Sequence, residues 1–165
     1  MSFLDLANKR YSARSYTDKP VTDEQLETLL AAAQTAPTAA NLQPVRLITV
    51  RDKNGLEKIG KAANIYGAPL AVIVCADREK AWRRPFDGMR TTDIDASIVT
   101  DHMMLCAADI GLDTVWICYF KPDIIRAEFD IPENIIPVNI LAVGYSDEKA
   151  PEKKRLPISS LVINR

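Results

Sequence analysis

Residues Ile94 to Ile110 constrain the fold of this chain more than any other stretch. They read as one long helix stopped by Gly111. Its apolar residues are Ile98, Val99, Met103, Met104, Leu105, Cys106, Ala107 and Ala108, and they cover more than one face. A helix that is apolar nearly all round has to sit in the middle of something. The chain has only 165 residues, which suits a single domain. In so small a domain, that helix implies a subunit interface.

The rest of the pattern surrounds this helix with alternating elements. Phe3 to Lys9 suits a short helix, and a basic loop follows. Thr22-Asp23-Glu24-Gln25 is a capping box, with Leu26, Leu29, Leu30 and Ala33 behind it at helical spacing, and Pro37 ends that helix. Val45 to Val50 reads as a strand, Arg51 to Gly55 as a turn, and Leu56 to Ala63 as a short helix. Pro69 to Ala76 is a continuous apolar strand, expected to be buried on both faces. Asp77 to Thr92 is polar and irregular, a loop or a lid. Asp113 to Phe120 and Pro137 to Tyr145 read as further strands, with a helix from Pro122 to Phe129 between them. The tail from Ser146 is polar and proline-punctuated until Ile158 to Ile163. That last piece is strand-like and suited to pairing with a neighbouring chain. The order implies a layered arrangement of helices and strands.

Several functions are disfavoured by composition. The net charge is −1, which gives no global case for nucleic acid. The longest apolar run is far too short to span a bilayer, and the first residues do not resemble a signal peptide. Three unpaired cysteines, Cys75, Cys106 and Cys118, fit a reducing compartment, so a cytoplasmic location is expected. The single histidine, His102, lies mid-helix and suits a structural role better than a metal site or a triad. No phosphate-binding glycine fingerprint is present. Asp93 and Asp95 open the long helix and suit capping and dipole compensation.

Two motifs flank the capped helix. Arg10-Tyr11-Ser12-Ala13-Arg14 offers two guanidinium forks and a hydroxyl within five residues. Ala36-Pro37-Thr38-Ala39-Ala40-Asn41-Leu42-Gln43-Pro44 is a run of small and amide residues suited to close backbone approach to a flat ligand. A second basic run, Lys153-Lys154-Arg155, lies near the end of the chain. Either basic run alone also suits a solvated surface. Together these residue types fit flavin mononucleotide: cations for its phosphate, donors for its ring edge, small neighbours for its face. With no protein triad in view, a cofactor would carry the chemistry.

The order of these motifs resembles the FMN-dependent nitroreductase family. Arg10 to Tyr16, Pro20-Val21 and Ala36 to Pro44 look like that family's opening. Leu105 to Ile117 looks like its central helix and following strand. Ile131 to Pro137 with Val143-Gly144-Tyr145, then Lys153 to Pro157, complete the match over nearly the whole chain, read as one domain over residues 1–165. The resemblance implies an α+β fold, a mainly antiparallel sheet flanked by helices in three layers, and an interlocked homodimer with the tail at 146–165 packed on the partner. It implies two FMN sites at the subunit interface. Arg10, Ser12, Lys153 and Arg155 would hold the phosphate, with Tyr11 in the same motif. Arg14 would sit at the N1 and O2 edge, where a fixed cation favours negative charge. Pro37, Thr38, Ala39 and Asn41 would come from the other subunit, with Gln43 holding that loop. Ile117, Cys118 and Tyr119 would pass along the ring near N5. The implied activity is ping-pong hydride transfer from NADH or NADPH to a small-molecule acceptor such as a nitroaromatic or quinone. Alternatives within the fold are a narrower flavin reaction, dehalogenation or flavin fragmentation. A non-catalytic flavin-binding redox sensor using Cys118 is another.

Overall fold

The architecture follows from one strand that has no polar face. In the computed structural model, which describes residues 1–165, β2 (Leu70–Asp77) is buried along its whole length. Its alternate side chains serve two separate cores. Ala71, Ile73 and Cys75 join one, while Leu70, Val72 and Val74 join the other. Such a strand has to be central with layers on both sides.

It is flanked by β1 (Val45–Val50) and β4 (Ile135–Gly144), and β3 (Asp113–Ile117) pairs with β4, giving the order β1-β2-β4-β3, all antiparallel. The helices α2 (Asp23–Thr35) and α4 (Thr92–Asp109) pack on one face. On the other lie α3 (Lys53–Gly60) and α5 (Pro122–Glu128), while α1 (Phe3–Lys9) lies against α4. The result is the three-layer α+β arrangement with an antiparallel sheet. No helix is long and apolar enough to cross a membrane.

Local chemistry sets the boundaries. Thr22 and Gln25 form the expected reciprocal capping box on α2. The sequence reading of Arg51 to Gly55 as a turn is corrected: Asp52 accepts from the Gly55 N–H at 2.8 Å and starts α3 at Lys53. β3 stops at Ile117, short of the expected Phe120, where its pairing with Ile140 of β4 ends and a Phe120 N–H to Cys118 carbonyl turn takes over. β4 begins earlier than expected, at Ile135. Pro137 has no N–H for the ladder, and the register shifts between Val74 and Cys75 to accommodate it. Ile158 to Ile163 is not a strand in this chain. Ile158–Ser160 is a 3-10 turn, and Leu156, Ile158, Leu161, Val162 and Ile163 are all exposed.

One close approach fixes how the N-terminal segment meets the sheet. A Cβ built on Gly144 would lie 2.7 Å from Pro69 Cδ and 2.9 Å from Tyr16 Cδ1. Gly144→Ala is therefore expected to lower stability by about 1–3 kcal/mol through overpacking, read as a fall in the urea midpoint with an unchanged slope. A midpoint equal to the parent's would show that Tyr16 moves aside freely.

Candidate functional site

The Arg10-to-Arg14 motif lies along the open edge of the sheet. Ser12 makes a parallel bridge to Thr114, and the Ala13 N–H donates to the Thr114 carbonyl at 3.0 Å. Ala13 is fully buried, so its neighbours Ser12 and Arg14 turn away from the core. Further on, the Tyr16 hydroxyl donates to the Ala142 carbonyl at 3.3 Å, and burial holds its phenol well above the usual tyrosine range. Tyr11 donates to the Glu148 carbonyl at 3.3 Å. The segment is thus pinned at three places, and its basic side chains are left for the surface.

The two basic runs meet there. The Lys153 ammonium donates to the Ala7 carbonyl in the last turn of α1 at 2.7 Å. Burial, then the neighbouring charges of Arg10 and Arg155, push its pKa below the ordinary lysine value. None of these three cations makes a salt bridge. A cleft of about 350 Å³ opens beside them, lined by Lys9, Arg10 and Tyr11, the end of α4 and the turn into β3, and Ser146 to Ala150. Like charges gathered with no ion-pair partner of their own suit a phosphate, although Asp113 and Glu148 also line the cleft. Arg14 lies nearby, its guanidinium donating to the Ser12 carbonyl at 3.3 Å. Its backbone N–H donates to Glu148 Oε2 at 2.8 Å. Glu148 organises this motif, yet in the sequence it is one acid among several in a polar tail.

The second motif is built as a tight irregular loop. Ala40, Asn41 and Gln43 all hold positive φ, between 50° and 54°, without a glycine among them. Such backbone costs on the order of 1 kcal/mol per residue and persists only where its surroundings enforce it. The enforcement is visible. Thr38 Oγ1 accepts from the Gln43 N–H at 3.1 Å, and the Gln43 amide donates to both Asn41 oxygens at 3.2 Å, so Gln43 holds the loop as expected. Asp95 is fully buried and accepts from the Ala39 N–H at 2.8 Å and from the Thr91 hydroxyl at 2.8 Å. The assignment of Asp95 to helix capping is corrected: its side chain anchors the loop across α4's first turn. Pro37, Thr38, Ala39 and Asn41 present their surface from this scaffold.

At the end of β3, Ile117 is buried while Cys118 and Tyr119 are exposed, Tyr119 by 97%. The other thiols are muted: burial pushes Cys75 up to about 12, and burial with Asp109 raises Cys106. His102 hydrogen-bonds through Nδ1 to the Ile98 carbonyl at 2.9 Å, within its own helix. No group of three or more His, Cys, Asp or Glu is placed to hold a metal ion.

Apart from Ile117, Cys118 and Tyr119 at the end of β3, the predicted residues therefore form two groups. Arg10, Tyr11, Ser12, Arg14, Lys153 and Arg155 gather near the C-terminal end of α4. Pro37, Thr38, Ala39, Asn41 and Gln43 gather at its N-terminal end, by Asp95. From Asp95 to Ala108 the helix rises about 20 Å, at roughly 1.5 Å per residue. One chain does not bring the two groups together. From the basic end, β3 carries the chain back by about 13 Å to Ile117, at roughly 3.3 Å per residue.

Comparison with known proteins gives a consistent result. The sequence profile described as the nitroreductase family matches residues 7–65 and 60–145. A crystal structure of a nitroreductase family protein from Clostridium difficile 630 is 54% identical, with a TM-score of 0.96 over 99% of this chain and 98% of that one. A protein of Archaeoglobus fulgidus, provisionally named NADH dehydrogenase/NAD(P)H nitroreductase, is 34% identical over 88% of this chain and 87% of its own length. The FMN reductase [NAD(P)H] of Bacillus subtilis is 31% identical over 88% of this chain and 66% of its own.

Proposed function

The chain belongs to the nitroreductase family, and from that premise we propose that it is an FMN-dependent NAD(P)H oxidoreductase acting as a homodimer with two shared sites. Bound FMN would supply the two-electron chemistry that links NADH or NADPH to an acceptor such as a nitroaromatic or quinone, in ping-pong order. The relatives named for NAD(P)H nitroreductase and FMN reductase activity support the reaction class.

The observation that carries the reading is the separation of the two motifs along α4. A two-fold contact buries the same patch on both copies. Antiparallel apposition of two α4 helices would bring each loop at Pro37–Asn41 to the other chain's basic cluster. The outer side of α4 suits such a contact. Ile94 is 48% exposed, and Ile98, His102 and Leu105 are half-buried at helical spacing behind it. The exposed apolar tail residues, Leu156 to Ile163, would find their cover on the same partner.

Within each site the residues divide the work. Arg10, Lys153 and Arg155, with Ser12, would hold the phosphate by charge and hydrogen bonds. Arg14 holds positive charge at the ring edge, kept in place by Glu148 through its backbone N–H. Ile117, Cys118 and Tyr119 would border the ring, and the partner's loop would exclude water from it. No side chain here needs to act as a general base.

The decisive experiment is the visible spectrum of the purified protein with FMN, before and after NADH or NADPH. A yellow dimer that bleaches with a nicotinamide supports the reading. A colourless protein that binds no added FMN, or a monomer at micromolar concentration, overturns it. The lowered pKa of Lys153 adds a pH signature. A bound phosphate favours the ammonium form, so affinity is full below the pKa of the free protein and falls as pH rises through it. FMN affinity should therefore start to fall below the ordinary lysine range, and K153R should hold it to higher pH. Fluorescence titration across pH measures this, and superimposable profiles would contradict it.

A further inference from the structure

The stretch between β2 and α4, Arg78 to Thr91, is a closed hairpin, and the guanidinium of Arg83 on its arm is left without a partner. Arg83 and Arg90 form an antiparallel bridge, the Arg84 N–H donates to the Met89 carbonyl at 2.8 Å, and the Thr91 N–H donates to the Trp82 carbonyl at 3.0 Å. Arg84 forks onto Asp87, with Nε to Oδ1 at 2.8 Å and Nη2 to Oδ2 at 2.5 Å. Arg90 donates to the Arg78 carbonyl at 2.8 Å. Both of those guanidinium groups thus serve the hairpin itself. Arg83 has no hydrogen-bond or ion-pair partner and is exposed. It is nonetheless confined. Gly88, at φ +75°, leaves the space it occupies, since a Cβ there would lie 3.1 Å from Arg83 Nη2. At the tip, Phe86 is 94% exposed.

The hairpin is joined to the Pro37-to-Gln43 loop at both ends. At its stem, the Asp77 N–H donates to the Pro44 carbonyl at 2.8 Å. At its far end, Thr91 shares Asp95 with Ala39. Loop and hairpin form one surface, and whatever the loop faces, the hairpin faces beside it.

We propose that Arg83 and Phe86 select the ligand that enters over the partner's flavin, favouring a flat aromatic molecule that carries an oxyanion. This rests on the reading of Pro37–Asn41 as the cover of the partner's site. The ring of Phe86 offers a stacking face, and the guanidinium of Arg83 offers a planar fork for a carboxylate or phosphate. Two sources share that chemistry: an acceptor bearing a carboxylate, and the pyrophosphate of the nicotinamide dinucleotide.

The test uses the FMN-loaded full-length protein, with R83Q, R83K and F86A beside it. Calorimetric titration compares benzoate with benzamide, and ADP-ribose with adenosine. None of these ligands turns over, so binding alone is read. For R83Q, the preference for the charged member of a pair should fall by about tenfold, the scale of one charge-assisted hydrogen bond. R83K should recover part of that preference, and F86A should weaken both members of the affected pair. A fall in the benzoate pair identifies an anionic acceptor, and a fall in the ADP-ribose pair identifies the reductant's phosphates. Unchanged preference in both pairs, or no binding of either anion to the parent, overturns the inference while leaving the flavin reading intact. A protein that takes up no FMN at the outset overturns both.

Discussion

Replacing Arg10 and Lys153 together by alanine is expected to weaken FMN binding by about a hundredfold or more. Each charge-assisted hydrogen bond to a phosphate contributes about 1.5–3 kcal/mol, and both groups here face water, which favours the lower end. Two of them at that end amount to about 3 kcal/mol, or roughly two decades in Kd. The free protein should lose little stability from the change, because relief of burial and repulsion at Lys153 offsets its lost hydrogen bond to the Ala7 carbonyl. Burial, and after it the charges of Arg10 and Arg155, already disfavour the Lys153 ammonium, and none of these cations makes an ion pair. Flavin fluorescence gives the Kd, and thermal unfolding without FMN gives the stability. Parent-like affinity in the double variant would remove the phosphate assignment. Arg14→Ala makes a useful contrast. It should keep most of the affinity and slow bleaching by NAD(P)H by about tenfold or more, the scale of a lost charge-stabilising donor.

Asp95→Ala is expected to cost about 3 kcal/mol of stability and to release the loop at Ala39–Gln43. The carboxylate is fully buried and satisfies two donors from different segments. Removing it strands the Ala39 N–H, at about 1–3 kcal/mol, and leaves the Thr91 hydroxyl only its long contact to the Trp82 carbonyl at 3.4 Å. It also removes what holds three residues at positive φ, so the loop can relax toward ordinary backbone. Asp95→Asn should cost less, because one oxygen remains for Ala39 while the Thr91 hydroxyl turns to the Trp82 carbonyl. Urea unfolding reads the first effect and amide exchange at Ala39 to Gln43 reads the second. Unaltered exchange in the alanine variant would show that the loop holds its own shape.

The elements were legible wherever one physical signal ran alone. β2 declared itself by nine successive apolar or near-apolar residues, from Ala68 to Ala76. The capping box of α2 declared itself by Thr22 and Gln25. Boundaries failed where a second signal competed. Asp52 looked like a turn residue and is a helix cap, because Asp serves both uses. Ile158 to Ile163 has strand-like residues, and no strand edge within the chain pairs with it. In the site, charge type was readable at Arg10, Arg14, Lys153 and Arg155. Position was not: Glu148 and Asp95 act through hydrogen bonds spanning 134 and 56 residues of sequence, which no local pattern encodes. The Arg83 to Arg90 segment looked irregular because its order comes from a guanidinium fork and a cross-strand bridge, neither of which leaves a periodic trace.

The length of α4 has a consequence for inheritance. If each pocket takes its cradle from one chain and its cover from the other, damage at the two ends of the helix is not equivalent to damage in one place. A cell carrying one allele broken at the basic cluster and another broken at Asp95 would assemble mixed pairs. In each such pair one pocket collects both defects and the other collects neither. Two alleles that are each silent alone would then restore part of the activity together. Alleles broken at the same end would leave every pocket in a mixed pair defective.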